Sequence, residues 1–273
     1  MNVLVDRALV EEIVRLTVDF GLSIGAAVAA AEPGSGAGAW PVAGGCVVCT
    51  GAGMYENSIK GLGVFQPATD DDLDQAESYF EARGLVPEID VCPWVAGDLL
   101  ERLATRDYVL AATRTYYARY VDISDKVETP PLDAATTIET ATAETLPLLQ
   151  QLRREGFEVG EAAQISDRFT VAGALQVGVT DFVARIDGEA AGSALLYIAD
   201  GRALFGGMAT LPAYRGRGLQ GALIRHRIAR ASELGCHLAV STTVPANRSG
   251  LNLQRHGFAV AFTMTTLRRR SPA

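Results

Sequence analysis

Histidine, cysteine and tryptophan are scarce, with three, four and two in 273 residues. Each scarcity excludes a class of chemistry. His226, His237 and His256 lack the spacing of metal ligands, so no metal centre is expected. Four cysteines are too few for a disulfide scaffold. Cys46-Val-Val-Cys49 has the C-x-x-C spacing of zinc or redox sites, but no second pair and no nearby histidine completes it. The run Gly45–Thr50 is therefore read as a buried strand in which cysteine serves as a small apolar side chain. No stretch of eighteen or more apolar residues occurs, and Asp6, Glu11 and Glu12 stand where a signal peptide would be basic. These absences lead to the expectation of a cytoplasmic protein without a membrane span.

What is present suffices for a packed core, since 48% of the residues are hydrophobic. The net charge of -8 is unevenly spread. Residues 1–122 carry 8 basic and 18 acidic side chains, whereas residues 123–273 carry 16 and 14. An acidic chain disfavours nucleic acid as a partner, and the more basic second half is where an anionic ligand is sought.

Turn signals divide the chain. A polar, proline-containing stretch with Ser124, Asp125, Lys126, Thr129, Pro130 and Pro131 marks a linker at 123–135 between domains 1–122 and 136–273. Glu32–Gly45, rich in glycine and small residues, reads as an exposed loop. Helices are expected at Thr69–Arg83, Gly97–Thr105, Leu146–Glu155, Ser166–Gly178, Leu219–Leu234 and Ser249–Arg255. Strands are expected at Val86–Val91, Tyr108–Tyr120, Asp181–Ile186, Glu189–Ile198, Arg202–Thr210, Leu238–Thr243 and Phe258–Leu267, with Asp187-Gly188 as a hairpin turn. Gly84 precedes Asp107-Tyr108 at nearly the interval by which Gly235 precedes Gly257-Phe258. Matching order and spacing suggest one α/β unit present twice.

The chemistry concentrates at Arg215-Gly216-Arg217-Gly218-Leu219-Gln220-Gly221, between the strand ending at Thr210 and a helix. Glycines let backbone N–H groups converge on an anion, the helix N-terminus adds positive potential, and two arginines offer charge-assisted bonds to phosphate. No Gly-Lys-Ser/Thr ends the loop, which excludes a Walker motif. Gly216, Gly218 and Gly221 fit G-x-G-x-x-G, but the strand that follows ends in Ser241-Thr242-Thr243 rather than in an acidic residue. Arg225, His226, Arg227 and Arg230 on the helix read as a solvated face.

This segment resembles the pyrophosphate loop of the GNAT superfamily of N-acetyltransferases, Gln/Arg-x-x-Gly-x-Gly/Ala, with Arg215 and Gly218 in place and Gln220 at the last position. The preceding Leu211-Pro212-Ala213-Tyr214-Arg215 matches the family's turn, and the resemblance covers residues 136–268. It implies an α/β (α+β) fold of two GNAT-like units, each a mixed central sheet with helices on both faces. The first unit looks degenerate, because Phe65-Gln66-Pro67-Ala68-Thr69 stands at its loop position. The resemblance further implies acetyl-CoA, or a short acyl-CoA, as cosubstrate and an amine-bearing acceptor, with no metal, no nucleic acid and no membrane; an oligomer is left open. By family position Met208, Ala209 and Thr210 would face the pantetheine and thioester, and Asn247, Ser249 and Asn252 the CoA arm, although Asn247 and Ser249 equally suit helix capping. Leu253 occupies the place where many members carry a proton-donating Tyr. Ser249, Tyr214 and Tyr197 are the remaining candidates for a catalytic acid. Two other readings stay open: a non-catalytic acyl-CoA-binding module and a nucleotide-dependent oxidoreductase.

Overall fold

Residues 3–95, 97–126, 136–158, 160 and 163–270 are described by the computed structural model. The chain forms two compact units. One comprises Leu4–Tyr116 with Ala261–Ala273, the other chiefly Tyr117–Val260.

In the first unit Asp6 opens helix α1 (Arg7–Ala31) by accepting from the Leu9 N–H at 2.9 Å. Half of its most apolar stretch is buried against β1 (Gly38–Val42), β2 (Gly45–Cys49) and β3 (Ser58–Lys60). By length and composition α1 could cross a membrane. Its apolar run is interrupted by Arg15 and Asp19, and a core helix packed on a sheet has the same length and composition. β1 lies within the segment expected to be a loop: Pro41 is tolerated because β1 is an edge strand paired only with β2. All of β2 is buried, and Cys46 and Cys49 are free thiols within it. β3 then pairs in parallel with β4 (Glu88–Val91), across helix α2 (Asp70–Glu81). Helix α3 (Leu99–Thr105) leads to β5 (Tyr108–Tyr120). The last strand, β11 (Ala259–Arg269), runs antiparallel to β4, pairing Thr265 with Val91 and Arg268 with Glu88.

The second unit holds an antiparallel meander. β6 (Thr136–Thr140), β7 (Val179–Ile186), β8 (Glu189–Ala199) and β9 (Arg202–Thr210) pair in sequence, and β10 (Leu238–Thr243) joins β9 in parallel. Asp187 and Gly188, with φ of 55° and 83°, make the expected hairpin turn between β7 and β8. Helices α4 (Leu146–Gly156), α5 (Ala163–Leu175), α6 (Leu219–Glu233) and α7 (Arg248–Arg255) complete it. Alternation along β7 shows how the sheet is covered. Phe182 and Ala184 pack with Leu223 and Ile228 of α6, whereas Val183 packs with Leu149 and Leu152 of α4. Successive strand residues point to opposite faces, so α6 and α4 flank the sheet.

The helix ends that are spaced alike in the two halves also end alike. Gly84 and Gly235 both adopt positive φ after α2 and α6, and the next N–H reaches back to the helix in each case, Leu85 to Phe80 O at 3.0 Å and Cys236 to Ala231 O at 2.9 Å. Asp107 and Gly257, after α3 and α7, share that conformation. Of the linker expected at 123–135, residues Ile123–Lys126 form a 3-10 turn and residues 127–135 lie outside the described residues. The domain read as 136–273 reaches past Val260, whereas the segment after it groups with the first unit because β11 hydrogen-bonds along β4.

Candidate functional site

The site is built where β9 leaves its neighbour. Parallel pairing of β9 and β10 runs from Arg202–Leu238 to Phe205–Ser241 and stops, although β9 continues to Thr210 and β10 to Thr243. On the other side β9 stays with β8, but with one extra residue. Between the Leu195–Gly206 and Ser193–Ala209 pairs, β9 has two residues against one. Gly207, at φ 55°, takes up this bulge. Beyond Phe205 the edge of β9 is thus free of β10 and carries a kink. Met208, Ala209 and Thr210, the predicted thioester-facing residues, all lie on it.

A 3-10 turn, Pro212–Tyr214, leads from β9 into the glycine loop. Gly216 and Gly218 have φ of 80° and 81°, and a Cβ at either would meet nothing within 4 Å. Gly218 is the N-cap of α6 without a side-chain cap, and the first turn contains no acid. Residues 215–218 are exposed, and the leading N–H groups of α6 meet no side-chain cap and no first-turn acid. Such an arrangement holds an anion.

The two loop arginines differ. Arg215 is a strut: Nη1 meets Glu158 at 3.1 Å, Nη2 donates to Gly156 O at 3.1 Å and Nε to Thr210 O at 3.4 Å. Arg217 is 46% exposed in its side chain, makes a loose 3.3 Å pair with the more exposed Asp187, and lies over the Tyr214 ring. Gln220, the departure from the family pattern, reaches to α7: its Nε2 donates to Ser249 Oγ at 2.7 Å and its Oε1 accepts from Asn252 Nδ2. Leu219 is buried in the core and Gly221 admits the ring of His256, since a Cβ there would lie 3.1 Å from it. His256 Nδ1 is 2.8 Å from Asn252 O. Thus Gln220, Ser249, Asn252 and His256 form one cluster joining α6 to α7.

Other predicted residues are dispersed. Asn247 caps α7, its Oδ1 accepting from the Gly250 N–H at 2.8 Å. Tyr197 is buried in β8, with its ring against Gly178. Tyr214 packs against the core at the loop, with Arg217 over its ring. Leu253 is fully buried among Leu219, Leu223 and Phe258, so α7 presents no proton donor at that position.

Three residues escaped the reading of the sequence. Arg153 of α4 packs on the bulge, where a Cβ on Gly207 would lie 3.1 Å from its Nη2, and it pairs with buried Asp181 of β7. Burial pushes the Asp181 carboxyl above its usual range, against the pull of Arg153. Arg227, expected on a solvated face, is fully buried. Its Nη1 donates to Leu195 O at 3.0 Å and Gly206 O at 3.2 Å, and its Nη2 to Met208 Sδ at 3.0 Å. Leu219, Leu223, Arg227 and Ala231 recur every four residues, so the stripe carried the signal. His226 is also partly inside, edge-on to Phe182 with ring centroids 4.8 Å apart, and burial lowers its pKa.

Residues 146–258 match the family model described as acetyltransferase (GNAT) family. Among solved structures the chain is similar to a GCN5-related N-acetyltransferase from Kribbella flavida, at 20% identity and TM-score 0.57 over 74% of this chain and 75% of that one. A GCN5-related N-acetyltransferase from Sphaerobacter thermophilus aligns at 14% identity and TM-score 0.52, over 74% and 68%. So does a tandem GNAT protein from the clavulanic acid biosynthesis pathway, at 14% and 0.52, over 74% and 70%. At these identities the likeness is one of fold. No curated protein matches.

Proposed function

We propose that this chain, whose residues 146–258 match the acetyltransferase (GNAT) family model, transfers an acetyl or other short acyl group from CoA to the amine of a small molecule or peptide. The carrying observation is the continuity of an anion-ready helix terminus with the unpaired, kinked edge of β9. The residues fit CoA. Open space before Gly216 and Gly218 suits a pyrophosphate, and the free edge Gly206–Thr210 suits an amide-bearing arm.

CoA would supply the acyl group as a thioester. Phosphate would be held by the N–H groups of α6 and by Arg217, with Arg215 fixing the loop. Backbone N–H groups at the β9 kink would bind the acyl carbonyl oxygen, where negative charge develops during attack. The neutral amine would attack the carbonyl carbon; as the N–C bond forms the C–S bond would break, CoA leaving as its thiolate with the bonding pair and the amine proton passing to solvent. With Leu253 buried, holding amine and thioester together supplies the acceleration in place of a proton donor.

One donor per chain is part of this reading. In the first unit the N-terminus of α2 is already satisfied: Thr69 and Asp72 form a reciprocal capping box, and Asp70, Asp71 and Asp72 fill the first turn. At the end of β3, Lys60 is buried between Glu56 and Asp90. Both features oppose an anionic ligand there, and the unit is read as a degenerate GNAT repeat.

The test is free-thiol release from acetyl-CoA across a panel of amines, with calorimetry for stoichiometry. Acceptor-dependent release and one site per chain support acyl transfer. Tight binding without release with any amine would favour the non-catalytic acyl-CoA-binding reading, which buried Leu253 permits. Absence of binding removes both.

A further inference from the structure

The buried charges of the second unit do not balance. Arg153 and Asp181 pair with each other, and Arg202 pairs with Asp200 at 3.0 Å. Among the described residues Arg227 alone of its buried charged groups has no carboxylate within ion-pair distance. Its guanidinium is met instead by carbonyl oxygens of Leu223, Leu195 and Gly206, by the face of Phe205 at 4.5 Å, and by the Met208 sulfur. Carbonyls and a ring face stabilise a cation, but none of them neutralises it. The Nη2 end is the least satisfied, because a thioether is a weak acceptor. Methionine is also the most adaptable apolar side chain, able to yield its place.

The location gives this charge a use. Phe205 and Gly206 mark the point where β9 and β10 part. From Thr210 back to Gly206 the open edge is four residues, about 13 Å at roughly 3.3 Å per residue. An arm anchored at the glycine loop and laid along that edge ends beside Gly206–Met208, where Nη2 lies. We infer that the preferred donor is a short acyl-CoA whose acyl group ends in a carboxylate, of the malonyl or succinyl kind, with Arg227 as its specificity-determining residue and the carboxylate replacing Met208 Sδ at Nη2. The inference rests on the acyl-transfer reading and narrows its donor class. Burial without a counter-ion pushes the Arg227 guanidinium down to about 9, which leaves it cationic at neutral pH and open to stabilisation by an anion.

Calorimetric titration of the full chain tests this without knowledge of the acceptor. Succinyl-CoA is compared with butyryl-CoA, and malonyl-CoA with propionyl-CoA, so that chain length is matched. The carboxylated member of each pair should bind about ten- to a hundredfold tighter, as a charge-assisted contact implies. In Arg227→Met the ratio should fall to near one, and in the neighbouring control Arg225→Met it should persist. If Arg227→Met fails to fold, the parent's ratios still decide. Equal or weaker binding of the carboxylated donors by the parent overturns the inference alone, as does a ratio that survives in folded Arg227→Met. Failure of all four donors to bind overturns the acyl-transfer reading and this inference with it.

Discussion

Substitution of Gly218 separates the loop's cost in folding from its use in binding. Its φ of 81° lies in the left-handed region, and a Cβ there meets nothing within 4 Å. The folding penalty is therefore backbone strain alone, about 1–2 kcal/mol for alanine. At roughly 2–4 °C per kcal/mol for a domain of this size, Tm should fall by about 2–8 °C. Gly218→Asn should lose less, because asparagine tolerates this conformation. Gly218→Glu should fold about as well as Gly218→Ala but place a carboxylate where phosphate is read to sit. At ~6 Å and an effective dielectric of ~20, each phosphate charge is opposed by about 3 kcal/mol, or roughly a hundredfold in affinity. The assay is acetyl-CoA calorimetry beside thermal unfolding by circular dichroism. A folded Gly218→Glu protein binding acetyl-CoA within threefold of the parent would refute the placement of phosphate at this helix terminus.

Arg217→Ala should leave Tm nearly unchanged, because the pair with Asp187 is solvent-exposed and worth at most about 1 kcal/mol, while weakening acetyl-CoA binding about tenfold or more; equal affinities would remove Arg217 from the phosphate contact. Arg215→Ala should act through the loop's attachment to Gly156 and Glu158, and slowed amide exchange in the parent at residues 215–218 should be lost in the variant. Gly250→Ala should destabilise the second unit by about 1–3 kcal/mol, since its Cβ would fall 2.2 Å from Tyr117 Oη, and Tyr117→Phe should recover part of the loss. None of the four cysteines should react with a thiol-directed dye in the native protein at pH 8, because all are buried and burial pushes Cys46 up to about 12; all four should react after unfolding, and rapid labelling of Cys46 or Cys49 in the native state would contradict the buried-strand reading.

The course of the second unit from Arg202 to Arg255 was legible because each turn had one cheap solution: a glycine loop opening α6, Gly235 closing it, Asp187-Gly188 folding β7 onto β8. The first unit was harder. Helix α1 was missed because Gly21 and Gly25 depress its apparent propensity, yet those glycines let it approach the strands: a Cβ on Gly25 would lie 2.6 Å from Ala39, and on Gly21 2.7 Å from Val48. β3 has only three residues and no periodicity to detect. At the candidate site the loop could be read from local sequence, and so could the inward face of Arg227 from its place in the apolar stripe of α6, but the kink at Gly207 depends on strand pairing. Asn247 takes the helix cap that its sequence also allowed, whereas the bridge from Gln220 to α7 spans 29 residues and has no local signal.

The pairing of β4 with β11 has a consequence for synthesis of the chain. Asp90 accepts from Thr266 Oγ1 at 2.7 Å across 176 residues of sequence. The half of the protein that leaves the ribosome first must therefore wait for the last residues before its sheet has that strand. Until then β4 presents an unpaired edge, the kind of surface that recruits foreign strands. Loss of only the last dozen residues would harm the beginning of the chain more than its end, and a stop codon near Val260 would leave the candidate site encoded in full while the unit made first remained open.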